Sequence, residues 1–390
     1  MTYLNSAIDS IVEMVEQWPE WVLPSVIGVI VGWVGKMSLR WIKKIGRKFK
    51  IKRVKKHYLD GEIKILDNAF PHYFEKWMEL KLLDEYFFLS VPQPQLNELR
   101  KLYGDFASRS DQLFKYVEDF NELGKEIKIE NFGILVEKHR RIVADSFVEM
   151  ARKGVAIYNN KKLGVRYISV SRSRDREFNT LHMDFYTTDY FTHKVMRSIF
   201  SELRSTNRFP EISYTSDVNQ YYPFLTSFGV NSFLRILDKD NHYIVLVKRS
   251  KETSNMVREQ WHVSMNEGLN TEDVEGKNIN LNKWVKRGFD EELNCGEGVG
   301  NNTFYSLFLN QSTFEVGMFS LAEVLESSET FFWDAKRAKD FSMENVSIEL
   351  VQDNYSEINS FMKKHKEMTS ACRFCLLEYL SRFNNIDDHA

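Results

Sequence analysis

Cysteine is scarce: Cys295, Cys372 and Cys375 are the only three in 390 residues. Three thiols cannot staple so long a chain, and no Cys/His spacing matches a structural zinc site, so the bulk of the protein is expected in a reducing compartment. Seven prolines and eighteen glycines exclude a collagen-like or low-complexity chain. Net charge is almost absent, a formal −2, which argues against a basic nucleic-acid-binding surface over the whole molecule. There is no internal repeat of fixed period, no His-Glu-x-x-His arrangement and no recognisable Ser-His-Asp set. What is present is 43% hydrophobic and 28% charged residues, with 29 phenylalanines. At ~100–200 residues per domain, this is a folded chain of two or three units, each able to bury a core.

The near-zero charge hides an asymmetry. Residues 36–56 hold eleven Lys/Arg and no acid, which leaves the rest of the chain acidic. Just before them, Trp21–Gly35 runs fifteen residues without a charge. A bilayer core needs about 20 apolar residues, so this run spans only if Lys36 snorkels and residues 37–39 extend it. Trp18, Trp21, Trp33 and Trp41 bracket it as interfacial anchors would. The sequence therefore predicts a transmembrane helix at about 21–39; a buried core helix or an in-plane interfacial helix is the alternative for so short a run. Bases after the segment and none before it orient the chain with its N-terminus outside and residues 36–390 cytoplasmic, in a cell membrane crossed once. The partners implied are the bilayer and its anionic inner leaflet, with nucleic acid the lesser reading of the same bases.

Residues 40–158 read as a basic juxtamembrane and helical region, broken at Val91-Pro92-Gln93-Pro94. Leu113, Tyr116, Val117 and Phe120 share one helical face; Ile142, Val143, Phe147, Met150 and Ala151 share another. This stretch is either a stalk or an element of homo-oligomerisation. The texture changes at Gly164, where β-branched and aromatic residues predict a strand. Thr187-Thr188-Asp189 predicts a helix start before Phe191–Leu203, and residues 159–224 form an α+β lead-in. Cys372-Arg-Phe-Cys375 lies in an amphipathic helical pattern and reads as core, not as a redox pair. Gly296-Glu-Gly-Val-Gly lacks the Gly-Lys-Ser/Thr of a phosphate loop and reads as a turn.

The most informative stretch is 229–294. Residues 229–249 are strand, turn and strand, with Asp238-Lys-Asp-Asn as the turn and Lys248-Arg249 at the end. Trp261-His-Val-Ser-Met-Asn-Glu-Gly follows, and then a helix carrying Trp284-Val-Lys-Arg-Gly-Phe-Asp-Glu-Glu-Leu-Asn. That order resembles a Nudix domain, whose hairpin ends in a basic dipeptide, whose next strand leads to a glycine, and whose helix carries Arg-Glu-x-x-Glu-Glu-x-Gly. Arg287, Glu291 and Glu292 match the helix. The resemblance covers roughly 225–385. Gly288 stands where the family has Glu, and Asn294 where it has Gly, a residue that also tolerates the left-handed end of a helix. The gap from Gly268 to Arg287 is several residues longer than the family's, and the upstream Glu has no clear counterpart, with Glu272, Asp273 and Glu275 only nearby.

The chemistry follows from residue type. Carboxylates at Glu291, Glu292 and Glu267 are hard oxygen ligands suited to Mg²⁺ or Mn²⁺ on a diphosphate, where the metal neutralises phosphate charge and lowers the pKa of an attacking water. Arg287, one turn before Glu291, is placed to hold that carboxylate, and Lys248 and Arg249 to pair with phosphate. A solvated helix face with ordinary i,i+4 pairs is the plain alternative for Arg287–Glu292. The fold class expected is α+β: an N-terminal transmembrane helix within 1–38, a helical linker region, and a C-terminal Nudix-like mixed-sheet α/β/α domain at 225–385. Three readings are expected in competition: a metal-dependent hydrolase of a nucleoside diphosphate-linked compound, a non-catalytic sensor of a nucleotide-like small molecule whose membrane helix carries the response, and a structural membrane scaffold with no ligand.

Overall fold

The structure, a computed structural model, describes residues 62–73, 78–103, 120–155, 157, 159–172, 179–212, 215–250, 259–324, 327–338 and 345–383. The expected membrane segment at 21–39, the basic run at 36–56 and the helical face at 113–117 lie outside the described residues. Among the described residues no helix is long and apolar enough to cross a membrane. Of the described residues, 62–375 form one compact unit, and 376–383 belong to a second.

In chain order the strands are β1 (Ile63–Tyr73), β2 (Met78–Tyr86), β3 (Lys161–Arg172), β4 (Asn179–Asp189), β5 (Phe228–Asp238), β6 (Asn241–Arg249), β7 (Trp261–His262), β8 (Met265–Gly268), β9 (Val274–Glu275), β10 (Asn278–Ile279), β11 (Val299–Asn310), β12 (Glu315–Val324) and β13 (Asn345–Gln352). The helices are α1 (Gln93–Tyr103), α2 (Phe120–Glu126), α3 (Phe132–Arg152), α4 (Tyr190–Ser205), α5 (Thr215–Gln220), α6 (Leu281–Leu293), α7 (Ser328–Ala335), α8 (Tyr355–Lys364) and α9 (Ser370–Phe383).

The α+β reading with a helical linker is corrected here. The chain is a mixed α/β structure with two sheets, and residues 63–73 and 78–86 are strands instead of helix. Short apolar runs fit either period, and the pairing partner decides between them. β1 finds its partner in β11, with Ile63 opposite Asn310, and β2 in β4, with Met78 opposite Leu181. Leu66 and Tyr73 of β1 and Leu80 of β2 are buried as a result. The helical expectation holds further on: α3 buries Val143, Phe147 and Ala151, but Ile142, expected on the same face, is exposed.

The larger sheet has the order β1-β11-β12-β5-β6-β13, with β7 added to β6 and β8 to β5. Its strands are antiparallel except for the parallel pair β12–β5. The smaller sheet has the order β3-β4-β2-β10-β9, with only β2–β4 parallel. Each sheet therefore draws strands from both ends of the unit. β1 joins the larger sheet, and the β9–β10 hairpin, which lies between Gly268 and α6, joins the smaller one through Asn278 and Lys81.

Between the sheets runs an aromatic column. Phe185 of β4 meets Phe228 of β5 at 5.4 Å between ring centroids, and Phe228 meets Trp284 of α6 at 5.5 Å. All are fully buried; each side chain of this size contributes roughly 1.5–3 kcal/mol when removed from water. The predicted start of α4 is also observed, since Asp189 caps it by accepting a hydrogen bond from Thr192 N at 2.8 Å.

Candidate functional site

The site is organised by α6. Asn280 caps its N-terminus by accepting from Lys283 N at 2.9 Å, and Asn294 ends it in the left-handed conformation at φ 52°. Its buried stripe is Leu281, Trp284, Val285, Gly288, Phe289, Glu292 and Leu293. Gly288 faces β8 so closely that a Cβ there would lie 2.8 Å from Glu267 Cβ and 2.9 Å from Met265 Sδ. The helix packs against the strand through this gap, so the position that carries Glu in the resembling family has no room for any side chain.

The close approach brings Glu267 beside Arg287, and the long loop brings Asp273 to the same guanidinium. Asn270 and Asp273 form a capping box, with Asn270 N donating to Asp273 Oδ2 at 3.1 Å. Asp273 then accepts from Arg287 twice, Nε to Oδ1 at 3.0 Å and Nη2 to Oδ2 at 2.8 Å. Arg287 Nη1 donates to Glu267 at 2.9 Å and to Glu291 at 3.2 Å, and Nη2 donates to Gly268 O at 3.1 Å. Desolvation works against the Arg287 charge, but the bonds to Asp273 and Glu267 outweigh it and raise its pKa. Burial pushes the Glu267 carboxyl up, against the pull of Arg287.

Of the residues singled out from sequence, Arg287, Glu291 and Glu267 meet in this cluster. Glu292 and Arg249 form a separate buried pair, 3.7 Å apart, with Glu292 Oε1 also accepting from Asn266 N at 3.0 Å. Lys248 precedes Arg249 on β6, so its side chain leaves the opposite face of the strand; among the described residues it makes no hydrogen bond or ion pair. Asp273 is the residue the sequence leaves unassigned. Its signal is the Asn270-x-x-Asp273 spacing of a capping box.

A cavity of about 360 Å³ opens beside the cluster, between β3 and the β8 segment. Lys162, Tyr190, Asn160, Asn270, Met150 and Ile157 are among its lining, with Glu267 in its wall. No sequence pattern marks Lys162. Burial lowers its pKa, although Glu315 and Glu267 pull the other way.

Among the described residues no group of three or more His, Cys, Asp or Glu side chains is arranged to hold a metal ion. Asp273, Glu267 and Glu291 are turned onto Arg287, Glu292 lies inside the core with Arg249, and a further carboxylate is sterically excluded at 288. Guanidinium groups stand where a cation would, and the residues do not fit the metal site that the resemblance implies.

No family model and no curated protein matches the chain. Partial likenesses to solved structures exist. A crystal structure from Deinococcus radiodurans is 12% identical with a TM-score of 0.28, covering 38% of this chain and 81% of that one. A mutT/nudix family protein from Listeria innocua is 14% identical with a TM-score of 0.27, covering 39% and 90%. The NUDIX domain of Shewanella oneidensis NrtR, solved in complex with ADP ribose, is 10% identical with a TM-score of 0.25, covering 39% and 84%.

Proposed function

We propose that this chain is a Nudix-like ligand-binding protein of the sensor kind, which recognises a nucleotide-like small molecule without metal-dependent hydrolysis. The observation that carries the reading is the engagement of Asp273, Glu267 and Glu291 by the single guanidinium of Arg287. A hydrolase using Mg²⁺ or Mn²⁺ needs carboxylates that turn to the cation. Here, turning Asp273 or Glu267 away strips a buried arginine of its counter-charge, and breaking such pairs costs about 3–5 kcal/mol. Binding needs no such rearrangement, and the cavity beside Glu267 is open to a small molecule.

The test uses the full chain with Mn²⁺ and a panel of nucleoside diphosphate-linked compounds, followed by ³¹P NMR and calorimetry. The diphosphates stay intact while one or more members of the panel bind. Mn²⁺-dependent cleavage that Glu291→Gln abolishes would establish the hydrolase instead.

A further inference from the structure

We propose that the cavity between β3 and the β8 segment is an oxyanion site, in which the Lys162 ammonium takes the phosphate of a small molecule with a flat apolar portion. The proposal rests on the ligand-binding reading and says where the ligand sits and which of its groups is held.

Three observations converge on it. The first is an ammonium without a partner. Lys162 is the second residue of β3; it is half-buried and lines the cavity beside Lys161. Its Nζ lies against the backbone of Gly268, where an added Cβ would sit 3.4 Å away. Among the described residues it makes no hydrogen bond and no ion pair. The carboxylates that act on it electrostatically are committed elsewhere: Glu267 to Arg287 at 2.9 Å, and Glu315 to Arg197 at 3.5 Å and His193 at 3.6 Å. The neighbouring carboxylates already serve Arg197 and Arg287, so an oxyanion entering the cavity supplies the half-buried Lys162 ammonium with an acceptor of its own.

The second observation is the polar equipment around it. Tyr190 and Asn160 line the same cavity. Among the described residues neither side chain has a hydrogen-bond partner, although Tyr190 N donates to the backbone O of Asn160 at 3.1 Å and fixes the two relative to each other. They are donors placed for phosphate oxygens or for the polar edge of a heterocycle.

The third is the remaining wall. Met150 and Ile157 present an apolar surface, and a thioether beside an aromatic residue such as Tyr190 suits a flat ring. The volume of about 360 Å³ falls at the small end of the ~300–1,000 Å³ typical of small-molecule sites. Shape and charge together fit one phosphate and one ring system, the size of a nucleoside monophosphate.

The full chain is titrated calorimetrically with AMP, GMP, CMP and UMP and with the four matching nucleosides. At least one nucleotide binds about tenfold or more tightly than its nucleoside, the margin of one charge-assisted hydrogen bond. In Lys162→Met that margin collapses while nucleoside binding is retained. A labelling experiment needs no variant: acylation of Lys162, followed by peptide mass spectrometry, is slowed by the binding nucleotide and not by its nucleoside. A Lys162→Met chain that keeps the full margin, or labelling indifferent to the nucleotide, overturns the site and leaves the ligand-binding reading standing. Equal affinity for nucleotide and nucleoside also overturns it. If none of the eight compounds binds and none alters labelling, the site falls, while the ligand-binding reading stands or falls with the diphosphate panel.

Discussion

Arg287 and Asp273 are joined by two parallel hydrogen bonds, at 3.0 and 2.8 Å, across fourteen residues of sequence, and Asp273 is wholly removed from solvent. The pair closes the long loop onto α6 and fixes the guanidinium among the carboxylates. Replacing one partner leaves an ion buried alone, so Arg287→Met is expected to lose about 3–5 kcal/mol of stability by urea denaturation. Arg287→Met combined with Asp273→Leu recovers part of that loss, because the fully buried Asp273 charge is no longer stranded while Glu267 and Glu291 still lack their cation. Losses that simply add would show that the two residues do not stabilise the fold as a pair.

The same guanidinium makes a prediction about metals. In Arg287→Gln, Glu267, Glu291 and Asp273 lose their internal cation and crowd one another. Mn²⁺ is then expected to raise the melting temperature of the variant and to leave the parent chain largely unmoved, read by thermal denaturation with and without the metal. A parent chain stabilised as strongly as the variant would mean that Arg287 does not fill the place of a cation.

Gly288→Ala is expected to destabilise the protein by roughly 1–3 kcal/mol through overpacking, since the new methyl group meets Glu267 Cβ at 2.8 Å and Met265 Sδ at 2.9 Å. Gly288→Glu costs more and creates no metal affinity. Chemical denaturation measures the first effect and Mn²⁺ titration the second.

Acid should weaken the fold. Burial holds His262 and His193 well below the usual imidazole range, with Arg249 acting on the first and Lys162 on the second in the same direction. Below a pH of about 6.5 the unfolded chain takes up protons at these positions that the folded chain refuses. Stability is therefore full at neutral pH and falls as pH drops through 6.5, by up to about 1.4 kcal/mol per pH unit for each histidine. His262→Gln lowers the slope of stability against pH between 6.5 and 5; an unchanged slope would mean that His262 is protonated in the folded protein.

The thiols offer a simple check on the C-terminal region. Cys372 and Cys375 are buried thiols, and burial pushes the Cys372 pKa up. Both are expected to resist a thiol reagent at neutral pH and to react once the chain is unfolded in denaturant.

The sequence is most legible where local chemistry decides structure. The hairpin around Lys239-Asp240, the Asp189 cap, the left-handed Asn294 and the α6 helix all follow from short-range patterns. Arg287, Glu291 and Glu267 can be named in advance because i,i+4 spacing and a strand-to-helix order bring them together. Residues 63–73 and 78–86 are misread because a short strand and a helix share the same composition, and only a distant partner, β11, with Tyr73 opposite Phe304, settles the choice for β1. Lys162 cannot be found from sequence at all: its importance lies in what surrounds it after folding, namely carboxylates already claimed by others.

The exchange of strands between the sheets has a consequence for dissection of the chain. A cut between α5 and β5 would deprive the C-terminal fragment of β1 along the edge of β11, and the N-terminal fragment of the β9–β10 hairpin that covers β2. Each fragment would carry a row of unpaired backbone donors and acceptors, the surface on which strands from other molecules add and aggregate. Mixed together, the fragments hold the complementary edges. The protein is thus suited to a split reporter, silent as two halves and restored by their reunion, with the candidate ligand cavity reassembled at the junction.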